Sequence, residues 1–228
     1  MRLKSIINLK TVTRYKYLIA LVSAFNFLLT PIHIALSGFS PAYVIVVNYT
    51  LVILSSVLIA SKKKAKLITY IIGFITLITI WLELSDSNST SILACRLVFS
   101  FLLFACFCVI LVRQLLSVKA INLQFILGPL LGFLYLGIIG GILFEAIHFL
   151  DSNSFQLIEG YSGYSFYYFS FISITTVGYG DITPLTAPAQ SLTLVMNIIG
   201  QFYLAIVIGV FVGKYINCLL YTSPSPRD

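Results

Sequence analysis

Seven residues in the last third of the chain, Thr175 to Asp181, carry the residue types with the clearest chemistry. They read T-T-V-G-Y-G-D. Successive carbonyls of an ordinary strand point in opposite directions, but Gly178 and Gly180 can adopt the positive φ angles that turn all of them to one side. We then expect Val177 and Tyr179 to direct their side chains to the other side and to pack against the surrounding protein. A row of carbonyl oxygens is a suitable ligand set for a hard monovalent cation.

The five residues from Thr176 to Gly180, T-V-G-Y-G, resemble the selectivity filter of potassium channels. The resemblance implies that K+ binds to the carbonyls of Thr176, Val177, Gly178 and Tyr179 and to the Thr176 hydroxyl, and that Gly180 shapes the outer mouth. A five-residue match in a chain of this length has chance odds of roughly one in ten thousand. An ordinary loop with two glycines is therefore the weaker interpretation.

An aromatic stretch precedes this filter and predicts a pore helix over 164–175. Its apolar run of about 11 residues is too short to cross a hydrocarbon core of ~30 Å, which favours a re-entrant half-helix. The C-terminal end of such a helix carries partial negative charge, which favours a cation near the membrane centre. The resemblance further implies that Thr175, Tyr168, Phe169 and Asp181 support the filter, with Tyr168 hydrogen-bonded to Asp181.

The composition is typical of a polytopic membrane protein, because 59% of the 228 residues are hydrophobic and only 9% are charged. We predict an all-α membrane protein with six transmembrane helices and one re-entrant pore helix.

The N-terminus has no short apolar region followed by a small-residue cleavage site, so we expect no removable signal peptide. The sequence shows no paired catalytic carboxylates and no nucleophile with a base, so we expect no enzyme. Cys106 and Cys108 lack the His or carboxylate neighbours of a metal site, and we predict no cofactor other than K+ as the permeant ion.

The chain divides into an N-terminal segment, a helical bundle and a pore domain. Residues 1–16 are predicted to be cytoplasmic, and 17–119 to form four transmembrane helices, the first kinked at Pro31. The fourth helix lacks the regular basic repeat of voltage sensors, so we expect weak voltage dependence. The predicted pore domain, 121–216, consists of an outer helix at 125–149 opened by Gly128-Pro129, the pore helix, the filter at 176–180, and an inner helix at 189–213.

Glycines on the two long pore-domain helices predict close helix packing. Gly128 with Gly132 and Gly137 with Gly141 form two G-x-x-x-G pairs about half a turn out of phase, so they should meet different neighbours. We expect one pair to meet the sixth helix and the other to meet the first four. The resemblance places Gly200 where inner helices carry a hinge glycine, and a plain packing glycine is the alternative.

Four ionisable residues inside or near the spans have two interpretations each. Arg96 pairs with Glu83 or Asp86, or its long side chain reaches the interface alone. Glu145 and His148 share one helical face and form either an external proton sensor or a solvated pair, and we favour the solvated pair. His33 either has a function or is a hydrogen-bonded structural histidine, and we favour the structural role.

Charge distribution predicts the orientation. Of the 14 lysines and arginines, all but Arg96 and Arg227 lie on the predicted inner side, namely Arg2, Lys4, Lys10, Arg14, Lys16, Lys62, Lys63, Lys64, Lys66, Arg113, Lys119 and Lys214. The six acids before residue 218 lie on the outer side. Cytoplasmic loops carry the excess of basic residues, so we expect a cell-membrane protein with both termini in the cytoplasm. Because the basic residues flank apolar spans, they do not predict a nucleic-acid partner.

The last eleven residues, 218–228, resemble a translated sequencing adapter, since a transposase adapter encodes all of them. We therefore expect the natural protein to continue beyond Asn217, where a cytoplasmic regulatory domain could follow. The alternative is a disordered, proline-containing tail.

One chain supplies one filter segment, and a closed ring requires four, so the predicted assembly is a homotetramer in the lipid bilayer. The leading function is passive, potassium-selective conduction. The alternatives are a poorly selective cation channel and a non-conducting subunit that assembles with other channel chains. A transporter is less favoured, because only one re-entrant element is visible.

Overall fold

The computed structural model describes residues 9–60, 63–86, 89–117, 123–157 and 163–222. Within these ranges the chain forms eight α-helices and one pair of short strands. They are α1 Leu9–Leu28, α2 Thr30–Ser37, α3 Pro41–Val57, α4 Lys63–Ser85, α5 Thr90–Ser117, α6 Leu123–Leu150, β1 Phe155–Gln156, α7 Ser165–Ile174, β2 Thr183–Pro184 and α8 Ala187–Thr222. Several predicted features fall wholly or partly outside the described residues: the N-terminal segment, Lys62, the connector near 121, the loop at 158–162 and the end of the tail.

Four of these helices are long and apolar enough to cross a membrane: α4, and the parts of α5, α6 and α8 at Thr90–Gln114, Ile126–Leu150 and Ala187–Val210. The helices α1 and α2 meet at an angle of 61° and together make a fifth span if the bent pair is counted as one. The helix α3 has 17 residues and is apolar but shorter. These helices support an all-α membrane protein.

The bend between α1 and α2 lies at Leu29, two residues before the proline at which the sequence predicts a kink. Pro31 occupies the first turn of α2, where its missing N–H costs no helical hydrogen bond. The bend is filled by polar side chains: the Asn26 amide donates to the Asn48 side-chain oxygen at 2.9 Å, and the Asn48 amide lies 3.0 Å from Nδ1 of His33. His33 is therefore hydrogen-bonded inside the bundle, as its structural interpretation predicts.

Aromatic rings join the bundle to the pore domain. Phe27 of α1 contacts Tyr167 of α7 with ring centroids 5.1 Å apart, and Phe104 of α5 contacts Tyr135 of α6 at 5.3 Å. All four rings are buried. Because each pair brings two large apolar rings into contact, the first holds α1 against α7 and the second holds α5 against α6 in the same chain.

Two helix limits differ from those predicted. The outer helix α6 begins at Leu123, so Gly128-Pro129 lies inside the helix and does not open it. The inner helix α8 extends to Thr222, beyond the predicted end at 213. Strands β1 and β2 pair antiparallel, with Phe155 opposite Pro184. This pairing ties the segment after α6 to the segment that leads into α8.

The two G-x-x-x-G pairs of α6 do meet different neighbours, but the second meets an unexpected one. A Cβ atom added at Gly132 would overlap the Tyr203 hydroxyl of α8, whereas one at Gly137 or Gly141 would overlap side chains of α7. The second pair therefore faces the pore helix and not the first four helices. The physical reason is that α7 inserts between α6 and α8, which a hydropathy pattern does not show.

Candidate functional site

The candidate site begins with α7, a helix of ten residues whose sides are mostly buried. Its close approach to α6 depends on glycine, because a Cβ atom at Gly141 would lie 2.9 Å from Cα of Tyr167. A hydrogen bond strengthens the contact: the Ser170 hydroxyl donates to the Gly137 carbonyl at 2.7 Å. The sequence analysis did not identify Ser170, because the sequence around a single serine does not indicate which residue its hydroxyl binds.

The segment from Thr175 to Asp181 leaves the C-terminal end of α7 and stays bonded to it. The amide of Thr176 donates to the Ser173 carbonyl at 3.0 Å, and the amides of Val177 and Gly178 both donate to the Ile172 carbonyl at 3.0 Å. The terminal carbonyls of α7 thus hold the first half of the segment in place. The segment begins in a fixed position relative to the pore helix.

The backbone of this segment alternates between two conformations. Thr176, Gly178 and Gly180 have φ angles of +61°, +55° and +76°, and the intervening residues do not have positive φ. Positive φ at every second residue counteracts the alternation of peptide directions found in a strand, so carbonyls can face one side. The two glycines behave as predicted, and Thr176 is an addition that the sequence did not indicate.

The side chains of the segment are exposed in the single chain. Val177 is 52% and Tyr179 is 72% exposed, and Thr175 to Gly180 all lie at the surface. The expected packing of Val177 and Tyr179 against surrounding protein is therefore not made within one chain.

Tyr168 and Asp181 connect the two ends of the segment. The Tyr168 hydroxyl donates to a carboxylate oxygen of Asp181 at 2.6 Å, which is the hydrogen bond that the sequence predicts. The other Asp181 oxygen accepts the amide of Ile182 at 3.0 Å. Because the Asp181 carboxylate accepts a hydrogen bond from the neutral phenol, this bond raises the pKa of Tyr168 to about 12.

Phe169, the second predicted support residue, packs against α6 and β1. It is buried and packs on Phe144 of α6, with ring centroids 4.8 Å apart, and on Phe155 of β1, at 5.6 Å. A phenylalanine has no donor to offer the segment, so its contribution is to anchor α7. Of the two, Tyr168 is the one with a hydrogen bond to the segment, at Asp181.

The inner helix touches the last residue of α7. Gly200 is buried, and a Cβ atom there would lie 2.9 Å from Cβ of Ile174 and 3.1 Å from its carbonyl oxygen. The neighbouring Gln201 donates from Nε2 to that carbonyl at 3.2 Å. The helix α8 passes through Gly200 without a break. Gln201 was not identified from the sequence, where nothing distinguishes it from a solvated polar residue.

A cluster of charges, one buried guanidinium and two half-buried carboxylates, lies between the bundle and the pore domain. The Arg96 guanidinium makes two parallel bonds to Glu145, at 2.6 and 3.2 Å, and its Nε pairs with Glu83. The predicted pair of Arg96 with Glu83 is present, but the interpretation of Glu145 as solvated is wrong. Glu145 is paired within the protein because Arg96 on α5 faces α6, and the spacing of residues in the sequence cannot show this contact. His148 is half-buried and its ring lies 5.1 Å from that of Phe166.

In the described part of the chain, no group of three or more His, Cys, Asp or Glu residues is placed so that it could bind a metal ion. Cys106 and Cys108 are half-buried and free. A cation at this site would therefore depend on backbone and hydroxyl oxygens. The sequence predicts that Thr176, Val177, Gly178 and Tyr179 supply them.

Comparison with known proteins gives one match. Residues 131–217 match a family model described as ion channel, and this range includes most of α6, all of α7, the segment from Thr175 to Asp181, and most of α8. No curated protein and no solved structure matches the chain. The family match and the apolar helices support a membrane protein of the ion-channel type and point to a channel role and not to an enzyme.

Proposed function

We propose that this chain, whose residues 131–217 match an ion-channel family model, is one of four identical subunits of a potassium-selective channel. The single observation that carries the proposal is the alternation of φ at Thr176, Gly178 and Gly180 within the sequence T-V-G-Y-G. This alternation allows one chain to direct consecutive carbonyls to a common side. Four such chains around an axis form a closed ring of oxygens.

In the proposed tetramer, K+ loses its water and is bound by the carbonyls of Thr176, Val177, Gly178 and Tyr179 and by the Thr176 hydroxyl. Gly180 shapes the outer mouth. The C-terminal end of α7 adds partial negative charge below the ring. Ions move passively down their gradient from one ring of carbonyl oxygens to the next. No cofactor takes part.

The proposed topology has six spans. The bent pair α1 and α2 forms the first and α3 the second, followed by α4, α5, α6 and α8. Charges at the two ends support this orientation: Lys16 lies near the end of α3, donating to the Ile59 carbonyl at 3.1 Å, whereas Glu83 and Glu145 lie together at the opposite end of the bundle. The basic end would face the cytoplasm, with both termini. Voltage dependence should be weak, because α5 lacks a repeated basic pattern.

Potassium flux from liposomes that contain only this protein tests the proposal. We expect K+ efflux, followed by a potassium-sensitive dye, to depend on the protein. A protein that inserts and folds but carries no K+ would instead be a non-conducting partner subunit, and that result contradicts the proposal.

Selectivity is tested by Tyr179→Asp. The tyrosine contributes a carbonyl and a large side chain that we expect to hold the ring at one width, and aspartate adds a charge that attracts other cations. We expect the ratio of potassium to sodium permeability, measured from reversal potentials in planar bilayers, to fall at least tenfold. An unchanged ratio would contradict the role given to Tyr179, and a parent channel without preference for K+ would instead be a poorly selective cation channel.

A further inference from the structure

A cavity of about 450 Å³ lies at the junction of the bundle and the pore domain, outside the proposed conduction path. Its wall comes from the start of α3, from α4, α5 and α6, and from α7, with Tyr167 as the contribution of the pore helix. Ser40, Pro41 and Ala42 form part of this wall and are exposed, so the cavity can be reached from outside the protein. Its volume falls in the range typical of sites for small organic molecules.

The charges on the wall do not cancel. Among the described residues that line the cavity, two carboxylates, Glu83 and Glu145, face one guanidinium, Arg96. Arg96 pairs with both carboxylates, so the three groups together carry one excess negative charge. The Glu83 side chain is 28% exposed, against 14% for Glu145, and is the more accessible of the two. A carboxylate can accept about four hydrogen bonds, and the contact of Glu83 with Nε of Arg96 is an ion pair that engages one of its two oxygens.

The remaining wall is apolar and aromatic. Ile45, Val46 and Ile80 provide aliphatic surface, and the rings of Tyr49 and Tyr167 lie 6.1 Å apart beside it. Aromatic faces attract organic cations, whereas an aliphatic wall offers no oxygen ligands to a bare metal ion. The cavity is also far larger than a metal ion. Its chemistry fits a molecule with an apolar body and one positive charge.

We propose that this cavity binds a small hydrophobic ammonium compound, with its charged nitrogen at the Glu83 carboxylate and its apolar body between α3, α4 and α7. Occupancy would place a ligand in contact with the pore helix through Tyr167. The proposal concerns binding alone and does not depend on potassium selectivity.

Calorimetric titration of the full chain in detergent, at fixed KCl concentration and pH 7, tests the proposal. The probe is 1-adamantanemethylamine, which is cationic at this pH, and the matched control ligand is the neutral 1-adamantanemethanol. We expect the amine to bind and the alcohol to bind at least tenfold more weakly. Equal affinities would show that charge is not recognised and would overturn the proposal.

Two variants locate the site. Glu83→Gln removes the excess charge and should weaken amine binding at least tenfold, whereas Asp86→Asn removes an exposed acid that is not part of the wall and should leave it unchanged. Ala42→Trp narrows the cavity at an exposed position and should also abolish binding without disturbing the charge cluster. Full affinity in Ala42→Trp would place the amine elsewhere, for instance in the pore, and would refute the proposal even if Glu83→Gln failed to fold.

Discussion

Thr176 carries backbone strain that its residue type does not suggest. A left-handed conformation costs a residue with a Cβ atom about 1–2 kcal/mol, and a β-branched residue adopts it rarely. The hydrogen bonds from its own amide to Ser173 and from the Val177 amide to Ile172 hold it there. A positive φ at glycine is readable from a sequence, but one at threonine results from surrounding bonds and is visible only in the structure.

Tyr168→Phe tests the bond that closes the segment. Removal of the hydroxyl leaves the Asp181 carboxylate without the donor seen at 2.6 Å, so we expect the conducting conformation to be held less firmly. Liposome flux should decay at least severalfold faster after the start of efflux. Tyr43→Phe, on α3 and outside the pore domain, is the matched control. An unchanged decay in Tyr168→Phe would show that the bond does not support conduction.

The pKa of Tyr168 sets the pH range of this bond. Its raised value of about 12 means that the neutral phenol is favoured in the folded protein. The stabilisation is complete below the usual tyrosine pKa of about 10 and is lost as pH rises through about 12. The bond should therefore be unaffected between pH 6 and 9.

At the scale of elements, α7 is held from both sides by small residues. Glycines of α6 allow one approach, and Gly200 of α8 allows the other, against Ile174. A sequence shows that such glycines can pack closely, but the identity of the partner depends on how α7 inserts. For this reason the sequence predicted that α6 packs closely against other helices, but it did not predict that α7 is one of them.

Gly200→Ala distinguishes a packing role from a hinge role. The added Cβ atom would meet Ile174 at 2.9 Å, so we expect a loss of about 1–3 kcal/mol and a lower thermal unfolding midpoint. Gly209→Ala on the same helix meets nothing within 4 Å and should lower the midpoint little or not at all. An unchanged midpoint together with reduced flux in Gly200→Ala would support the hinge that the resemblance implies.

Arg96→Leu tests the link between the bundle and the outer helix. The change leaves the half-buried Glu83 and Glu145 close together without the buried cation between them, and breaking a buried ion pair from one side costs up to about 3–5 kcal/mol. We expect a strongly reduced thermal midpoint in detergent. Asp86→Asn, which removes a neighbouring exposed charge, should have little effect. A variant as stable as the parent would show that the cluster does not hold the two parts together.

At the scale of the whole molecule, one chain leaves the proposed ion-binding segment uncovered. The segment from Thr175 to Gly180 is exposed, and so are large apolar side chains along α8, such as Leu194, Phe202 and Ile206. Lipid can cover apolar residues of a membrane helix, but it cannot satisfy a row of carbonyls. Further copies of the chain can enclose these carbonyls around ions and water.

The purified protein should therefore have four times the mass of one chain when measured by native mass spectrometry in detergent. If K+ binds to the proposed ring, it stabilises the assembly, so the tetramer should persist in KCl and dissociate more readily after K+ is replaced by Na+. A monomer that nevertheless carries K+ across liposomes would contradict the ring of four.

The sequence by itself determined that this chain is an all-α membrane protein and located its candidate cation ligands. Both features depend on residues that are close together in the chain, namely long apolar runs and two glycines in alternate positions. It also indicated the partner of Tyr168 through resemblance. Only the tertiary structure decided that Glu145 is paired, that Gln201 bonds to Ile174 and that Thr176 has positive φ. These contacts join residues whose closeness depends on how α5, α6, α7 and α8 pack, and helix packing in an apolar environment leaves little periodic signal along the chain.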